Sequence, residues 1–236
     1  AARGRGDVYK RQIYGMTPEE SHALFDYSGV MKFVWKPIGD NSYHYRMFDI
    51  GYFSDLLTGS PLDEFTNPYT NEIIRVLQPR AGPYDFFAKP QLLDWRQSGD
   101  QLWISNSEGI QMPNRLDPKD WPLGSTGKMI NFRYIFGYRG KLSDMEDSER
   151  TNVSSLQFFS ELSPWYPFLR MGQTPGFNYW SLQGNKINSL SDVAPETLAY
   201  IEKNEPGFFE NDKPWIETAN AYSQYMKAMQ KRSIYD

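Results

Sequence analysis

Along most of this chain the hydrophobic positions recur with a period of two. Residues 129–138 give the clearest case: Ile130, Phe132, Tyr134, Phe136 and Tyr138 share one side, opposed by Asn131, Arg133 and Gly137. That alternation predicts a strand with one buried face. Residues 30–36 set Met31, Phe33 and Trp35 against Lys32 and Lys36, and Ile38-Gly39-Asp40-Asn41 then supplies residues that tolerate positive φ, predicting a hairpin. The return strand, residues 43–53, carries Tyr43, Tyr45, Met47 and Asp49 on one face and His44, Arg46, Phe48 and Ile50 on the other. Thr58-Gly59-Ser60-Pro61 and Asn67-Pro68-Tyr69-Thr70-Asn71 turn the chain again, with short strands predicted at 62–66 and 72–77. More strands are predicted at 102–105, entered through Ser98-Gly99-Asp100, at 152–162, and at 177–183, the last closed by Gly184-Asn185. Residues 78–90, with Pro79, Gly82, Pro83 and Pro90, read as a long surface loop, as do 112–127 and the charged stretch 141–150.

The period changes in the tail. Ser191 or Asp192 caps a helix that has Pro195 in its first turn and stops near Asn204, before Pro206-Gly207. Trp215, Ala219, Tyr222, Met226 and Met229 recur at helical spacing, predicting an amphipathic helix over 215–231 whose apolar stripe packs on the sheet. About eight or nine strands at hairpin spacing, followed by helices, predict a mainly β fold. It is an antiparallel β-barrel or a strongly curved meander sheet, lipocalin-like, with C-terminal helices, because a meander must close or be covered to hide its edges. Residues 13–236 are expected to form one domain, the sheet over 13–190 and a helical tail over 191–236.

Composition narrows the function classes. Aromatic residues make up 16% of the chain, enough buried area for a core despite a mean hydropathy of -0.65. A net charge of -4 argues against nucleic acid as a partner, and no run of eighteen apolar residues is present to span a membrane. Cysteine is absent, which removes disulfides, thiolate metal sites and a cysteine nucleophile. With His22 and His44 as the only histidines, a multi-histidine zinc site is not expected, while carboxylate-rich magnesium or calcium sites stay open; no particular metal site and no cofactor is assigned. Compartment (cytoplasm or periplasm) and oligomeric state stay open.

The first dozen residues stand apart. Asp7-Val8-Tyr9-Lys10-Arg11-Gln12 reads as the translated mosaic end of a transposase sequencing adaptor, and Arg3-Gly4-Arg5-Gly6 nearly matches the rest of it. Residues 1–12 are therefore expected to be non-native, with the natural start of a metagenomic fragment missing.

Two motif blocks carry a resemblance. Asp55-x-x-Thr58-Gly59 precedes Asn67-Pro68-Tyr69-Thr70-x-Glu72, and much later comes Ser163-Pro164-Trp165-x-Pro167-x-x-Arg170-Met171-Gly172-x-x-Pro175-Gly176. From about Ile13 to the C-terminal helix, the chain resembles the bacterial family known as domain of unknown function 1838. The family pattern has Glu where this chain has Asp49, and tends to place a histidine where this chain has Leu77. The resemblance implies no activity, since none is established for the family.

Several residues are candidates for chemistry. Asp49 lies between Phe48 and Ile50 in an otherwise apolar strand, where a carboxyl would have a raised pKa and act as a general acid or base, with Tyr45 as a hydroxyl partner on the same face. The alternative is an acid paired with Arg46, Arg133 or a backbone amide, or one facing water. Tyr43, Asn131, Arg133, Trp165 and Arg170 are candidate ligand contacts: the arginines as forks for a carboxylate or carbonyl, Trp165 as a stacking platform. Against this, Asn131 and Arg133 face water if the aromatic side is the inner one, and Trp165 pins a rigid loop to the core. His44 lies on the face opposite Asp49, and His22, beside Glu19 and Glu20, reads as an exposed residue of a turn or short helix. Phosphate loops, Gly-x-Ser-x-Gly and His-Glu-x-x-His are absent. The expected function is binding of a small, largely apolar molecule in an aromatic-lined cavity. The alternatives are a cofactor-independent enzyme doing proton transfer or hydration, and a structural or interaction domain with no small-molecule site.

Overall fold

The structure, a computed structural model, describes residues 7–40, 42–88, 94–149, 153–210 and 221–230. It is mainly β. In chain order the described strands are β1 (Asp7–Met16), β2 (Ser21–Gly39), β3 (Ser42–Ser54), β4 (Glu64–Thr66), β5 (Ile73–Arg75), β6 (Arg80–Ala88), β7 (Asp94–Ser98), β8 (Gln101–Pro113), β9 (Met129–Lys141), β10 (Leu156–Ser163) and β11 (Phe177–Lys186). Nine of them form one sheet in the order β6-β3-β2-β1-β11-β10-β9-β8-β7, with antiparallel ladders throughout, while β4 and β5 pair separately. The β2–β3 hairpin turns at Gly39 (φ 97°) and Asp40 (φ 49°), residue types that tolerate the left-handed region. Three helices complete the described chain: α1 (Leu142–Glu146), α2 (Pro195–Asn204) and α3 (Ala221–Gln230).

Several elements differ from the sequence expectation. Residues 80–88, expected to be loop, form edge strand β6. Pro83 is tolerated there because the strand has one free edge and the β3–β6 register shifts between Met47 and Asp49, next to Gly82 at φ 98°. Strand β7 lacks an apolar alternation because all five of its residues are exposed. Gly184 and Asn185 do not turn the chain. Gly184 pairs with Tyr9 on one side and Gln157 on the other, and two ladders outweigh a local turn preference. His22 lies in β2, half-buried, hydrogen-bonded to the Glu20 carboxyl at 2.9 Å and edge-on to Tyr69, not in a turn or short helix. Of the expected helix 215–231, residues 215–220 and 231 lie outside the described residues, and 221–230 are α3. The main chain of residues 7–12 continues β1 between β2 and β11, and a ladder built from main-chain groups takes whatever side chains arrive.

In an antiparallel ladder, directly opposed residues share a face. One face therefore collects Ile13 of β1; Phe25, Tyr27, Met31 and Phe33 of β2; Phe53 of β3; Ile130 of β9; and Trp180 and Leu182 of β11, all in one buried cluster. The ring of Phe33 is 6.1 Å from that of Phe136 on β9, although four strand spacings, ~19 Å in a flat sheet, separate β2 from β9. This face is concave. Helix α3 packs against its cluster through Tyr225, Met226 and Met229, beside Phe168 of the 3-10 turn Pro167–Leu169. The opposite face of β2 and β3 carries Val30, Phe48 and Ile50 in a second cluster with Ile187, Val193, Phe208 and Ile201 of α2. Lys32 ties the chain beyond α2 to that face by donating to the carbonyls of Phe208 and Glu210, both at 2.9 Å.

Candidate functional site

The alternation of β9 decides which side chains face inward. Phe132, Tyr134, Phe136 and Tyr138 are half-buried on the concave face, joined there by Phe159 of β10 and Met47 of β3. Asn131 and Arg133 take the alternate positions and are exposed. There the Asn131 carbonyl accepts from Gln111 at 2.9 Å, and the Arg133 guanidinium lies across Gly109. The two residues thus stand apart from the concave face.

Asp49 is half-buried on the concave face, cross-strand from Met31. Its Oδ1 accepts a 2.8 Å hydrogen bond from the Tyr27 hydroxyl. Tyr27 reaches it because Gly29 and Gly51, themselves cross-strand partners, leave the sheet surface between them bare. A Cβ on either glycine would stand 2.5 Å from the Tyr27 hydroxyl. Burial pushes the Asp49 carboxyl up to about 7, with the Tyr27 hydrogen bond acting the other way. Burial, and then the Asp49 charge, hold the Tyr27 hydroxyl well above the usual phenol range. The main chain of Tyr43 and Tyr45 is paired in β3; the side chains on which the predicted roles of Tyr43 and Tyr45 depend lie outside what is described.

A second acid was not singled out from the sequence. Glu161 of β10 is directly cross-strand from Tyr134 on one side and Trp180 on the other, and Tyr134 is in turn opposite Glu108 of β8, to which its hydroxyl donates at 2.8 Å. Burial raises the Glu161 carboxyl to about 7, with Ser163 opposing. Tyr166, 6.2 Å ring to ring from Trp180 and 5.3 Å from Tyr225, is raised well above the ordinary phenol value by burial, then by the nearby Glu161 and Tyr225. The available signal was phase: Gln157, Glu161 and Ser163 keep step with Phe159 along β10, so polar groups share the side of an aromatic core residue.

Trp165 and Arg170 belong to a different assembly. Trp165 is 1% exposed, donates from Nε1 to the Thr174 carbonyl at 2.9 Å and packs edge-on to Tyr69. Asn67 donates to the Leu169 carbonyl at 2.7 Å, and Arg170 Nε to Glu72 Oε2 at 2.8 Å. The two motif blocks are therefore locked to each other, with the tryptophan as a core plug.

On the outer face, Gln12, Tyr14, Met16, Ser21, Asp26, Tyr179 and Ser181 line an open depression of about 720 Å³. Among the described residues, no group of three or more His, Asp or Glu side chains is placed to hold a metal, and no helix is long and apolar enough to cross a membrane. No curated protein and no solved structure matches the chain significantly. One family does, described as a protein of unknown function (DUF1838), over residues 8–230, and the chain belongs to it.

Proposed function

We propose that the concave face binds a small, largely apolar molecule, held against Phe132, Phe136 and Phe159 and oriented by the half-buried carboxyls of Asp49 and Glu161. The observation that carries this reading is the half-burial of those rings on a concave surface, since binding sites for small molecules are mostly apolar with a few placed polar groups. A barrel-like curl supports it. Strands β6 and β7 are opposite edges of the sheet, yet only residues 89–93 join them, a reach of roughly 20 Å against ~38 Å for eight flat strand spacings. No ladder joins β6 to β7 among the described residues.

The test is a thermal-shift screen against apolar acids, ketones, sterols and terpenoids, repeated on Phe159→Asp. A saturable shift for one chemical class, lost in the variant, is the expected result. No shift across the panel, or a shift the variant retains, would assign the rings to the core.

A second reading, cofactor-independent proton transfer, is favoured by one observation. Both carboxyls are brought to about 7, where a group serves equally well as acid and base. Turnover of a bound ketone, followed as solvent deuterium exchange next to the carbonyl, would support it, and equal exchange by Asp49→Asn and Glu161→Gln would remove it.

A further inference from the structure

We infer that the open depression on the outer face of the sheet is a second binding site, which takes a neutral oligosaccharide across Tyr14 and Tyr179. It lies on the side opposite the concave face, so it stands or falls apart from the apolar-ligand reading above.

Register builds the hollow. Ile13 and Trp180 are cross-strand partners in the buried cluster, so their chain neighbours Tyr14 and Tyr179, directly opposed on β1 and β11, turn outward. The two rings are half-buried, with centroids 6.4 Å and planes 31° apart. On the other side of β1, the β1–β2 register shifts between Ile13 and Tyr14, and both Leu24 and Phe25 enter the core there. Two inward residues therefore separate Ala23 from Asp26 on the outer face, where a regular strand has one. Ser21 and Ser181, which also line the hollow, are small, so the surface sinks around the two rings. Its volume of about 720 Å³ falls within the ~300–1,000 Å³ of small-molecule sites.

The lining names the ligand class. Tyr14, Tyr179 and Met16 offer apolar contact, while Asp26, Ser21 and Ser181 offer hydrogen-bonding groups that hold no hydrogen bond among the described residues. A carboxylate only accepts and a hydroxyl does both, so the occupant that satisfies them carries several donors. A sugar donates from each of its hydroxyls, and its ring C–H groups pack on the negative faces of aromatic rings. Among the described residues no lysine, arginine or histidine lines the hollow, and Asp26 repels anions, which turns away phosphorylated and acidic sugars. A hydrocarbon would leave Asp26 and the serines desolvated without partners. A quaternary ammonium would suit the rings and Asp26 but leave the serine hydroxyls idle. Gln12, which accepts from the Tyr14 hydroxyl, lies in the stretch expected to be non-native, so recognition is assigned to the residues from Tyr14 onward.

The experiment is calorimetric titration of the full chain with cellotriose, xylotriose, maltotriose, mannotriose and chitotriose, and with choline and glucose 6-phosphate for comparison. At least one trisaccharide should bind saturably, about tenfold or more tighter than either comparison ligand. Tyr14→Ala and Tyr179→Ala remove a ring and should each weaken that sugar about tenfold, whereas Tyr179→Phe keeps the ring and should hold affinity within a few-fold. Asp26→Asn keeps an acceptor but loses its charge, and should cost about three- to tenfold. Ser181→Arg fills the hollow without removing a ring and should abolish binding, which keeps the test open if a ring deletion unfolds the chain. Failure of every trisaccharide, tighter binding of choline than of any sugar, or sugar binding that survives Ser181→Arg would overturn the inference.

Discussion

The two sides of the concave face are built from the same residue types and end up in different states. On the side of β2 and β3, Phe25, Tyr27 and Phe53, with Trp165, Tyr166 and Phe168 packed over them, are all at most 4% exposed. On the side of β9 and β10, Phe132, Tyr134, Phe136 and Phe159 are only half-buried. The difference lies in what closes over each. The first side receives the 3-10 turn Pro167–Leu169, Phe65 of the β4–β5 hairpin and Tyr225 of α3. Those elements are anchored by Asn67 and Glu72 gripping the chain at Leu169 and Arg170. Aromatic density marks a face that is turned inward. Whether the rings are core or contact surface is set by the cover, which comes from segments far away in sequence.

The largest effects should come from removing a ring on each side. Phe168→Ala empties a fully enclosed site and should lower stability by about 3–5 kcal/mol, a cavity cost. Phe159→Ala removes a half-buried ring and should cost less than about 1.5 kcal/mol, while weakening any ligand. Urea unfolding of the pair measures the gap. Equal losses would mean that both sides are core.

Next in size is the floor under Tyr27. A Cβ at Gly51 would collide with the Ser28 carbonyl and stand 2.5 Å from the Tyr27 hydroxyl. Gly51→Ala should therefore cost about 1–3 kcal/mol by overpacking, and should also break the hydrogen bond to Asp49. Tyr27→Phe separates the two effects, because it loses the bond without the clash and sends the Asp49 pKa further up. An Asp49 pKa unmoved in Tyr27→Phe, followed by carboxyl NMR, would show that the pair is not coupled.

Much of this was legible in the sequence, and the misses share a cause. The β9 alternation, the Gly39-Asp40 hairpin and the helix with Pro195 in its first turn all rest on local patterns, and the structure contains each. The N-cap of that helix is Ala194, however, and neither Ser191 nor Asp192 caps it; Asp192 instead closes a capping box with Ser189 around the 3-10 turn Leu190–Asp192. Asp49 was legible as an acid in an apolar strand, but its partner Tyr27 is 22 residues away and joined only through β2–β3 register. Whether Arg133 or Phe132 faces inward was undecidable locally, because one strand carries both patterns and only the packing of the other strands chooses. Strand β6 hid behind Pro83, which an edge position excuses. Glu161 hid in Leu156–Ser163, where Leu156 and Phe158 on the outer side blur the alternation.

The two acids also give the sides a shared signature in pH. Each has a folded pKa of about 7 against an unfolded value of about 4, so the native state binds more protons between those limits. Stability must then fall as pH rises from about 4 to 7 and level off above, by on the order of 1–3 kcal/mol per carboxyl once solvent reaching a half-buried group is allowed for. Asp49→Asn and Glu161→Gln should each flatten part of the slope in a urea series across that range. A wild-type midpoint that rises with pH through the window would contradict the burial of both groups.

The smallest effect tests the cover itself. Arg170 sits at φ 58° at the end of the 3-10 turn, and its bond to Glu72 joins side chains that are 27% and 46% exposed. Arginine and alanine bear a similar backbone cost there, so Arg170→Ala reports mainly the side chain. A partly exposed ion pair of this kind is worth little, and the double-mutant cycle with Glu72→Gln should give a coupling of about 0.3–1 kcal/mol. Ligand-induced stabilisation should be unchanged in Arg170→Ala, because the residue holds the closed side shut and lies apart from the half-buried rings of β9 and β10. If that substitution instead abolishes ligand binding while the coupling stays small, the motif block around Trp165 forms the contact surface. The assignment of the two sides would then be reversed.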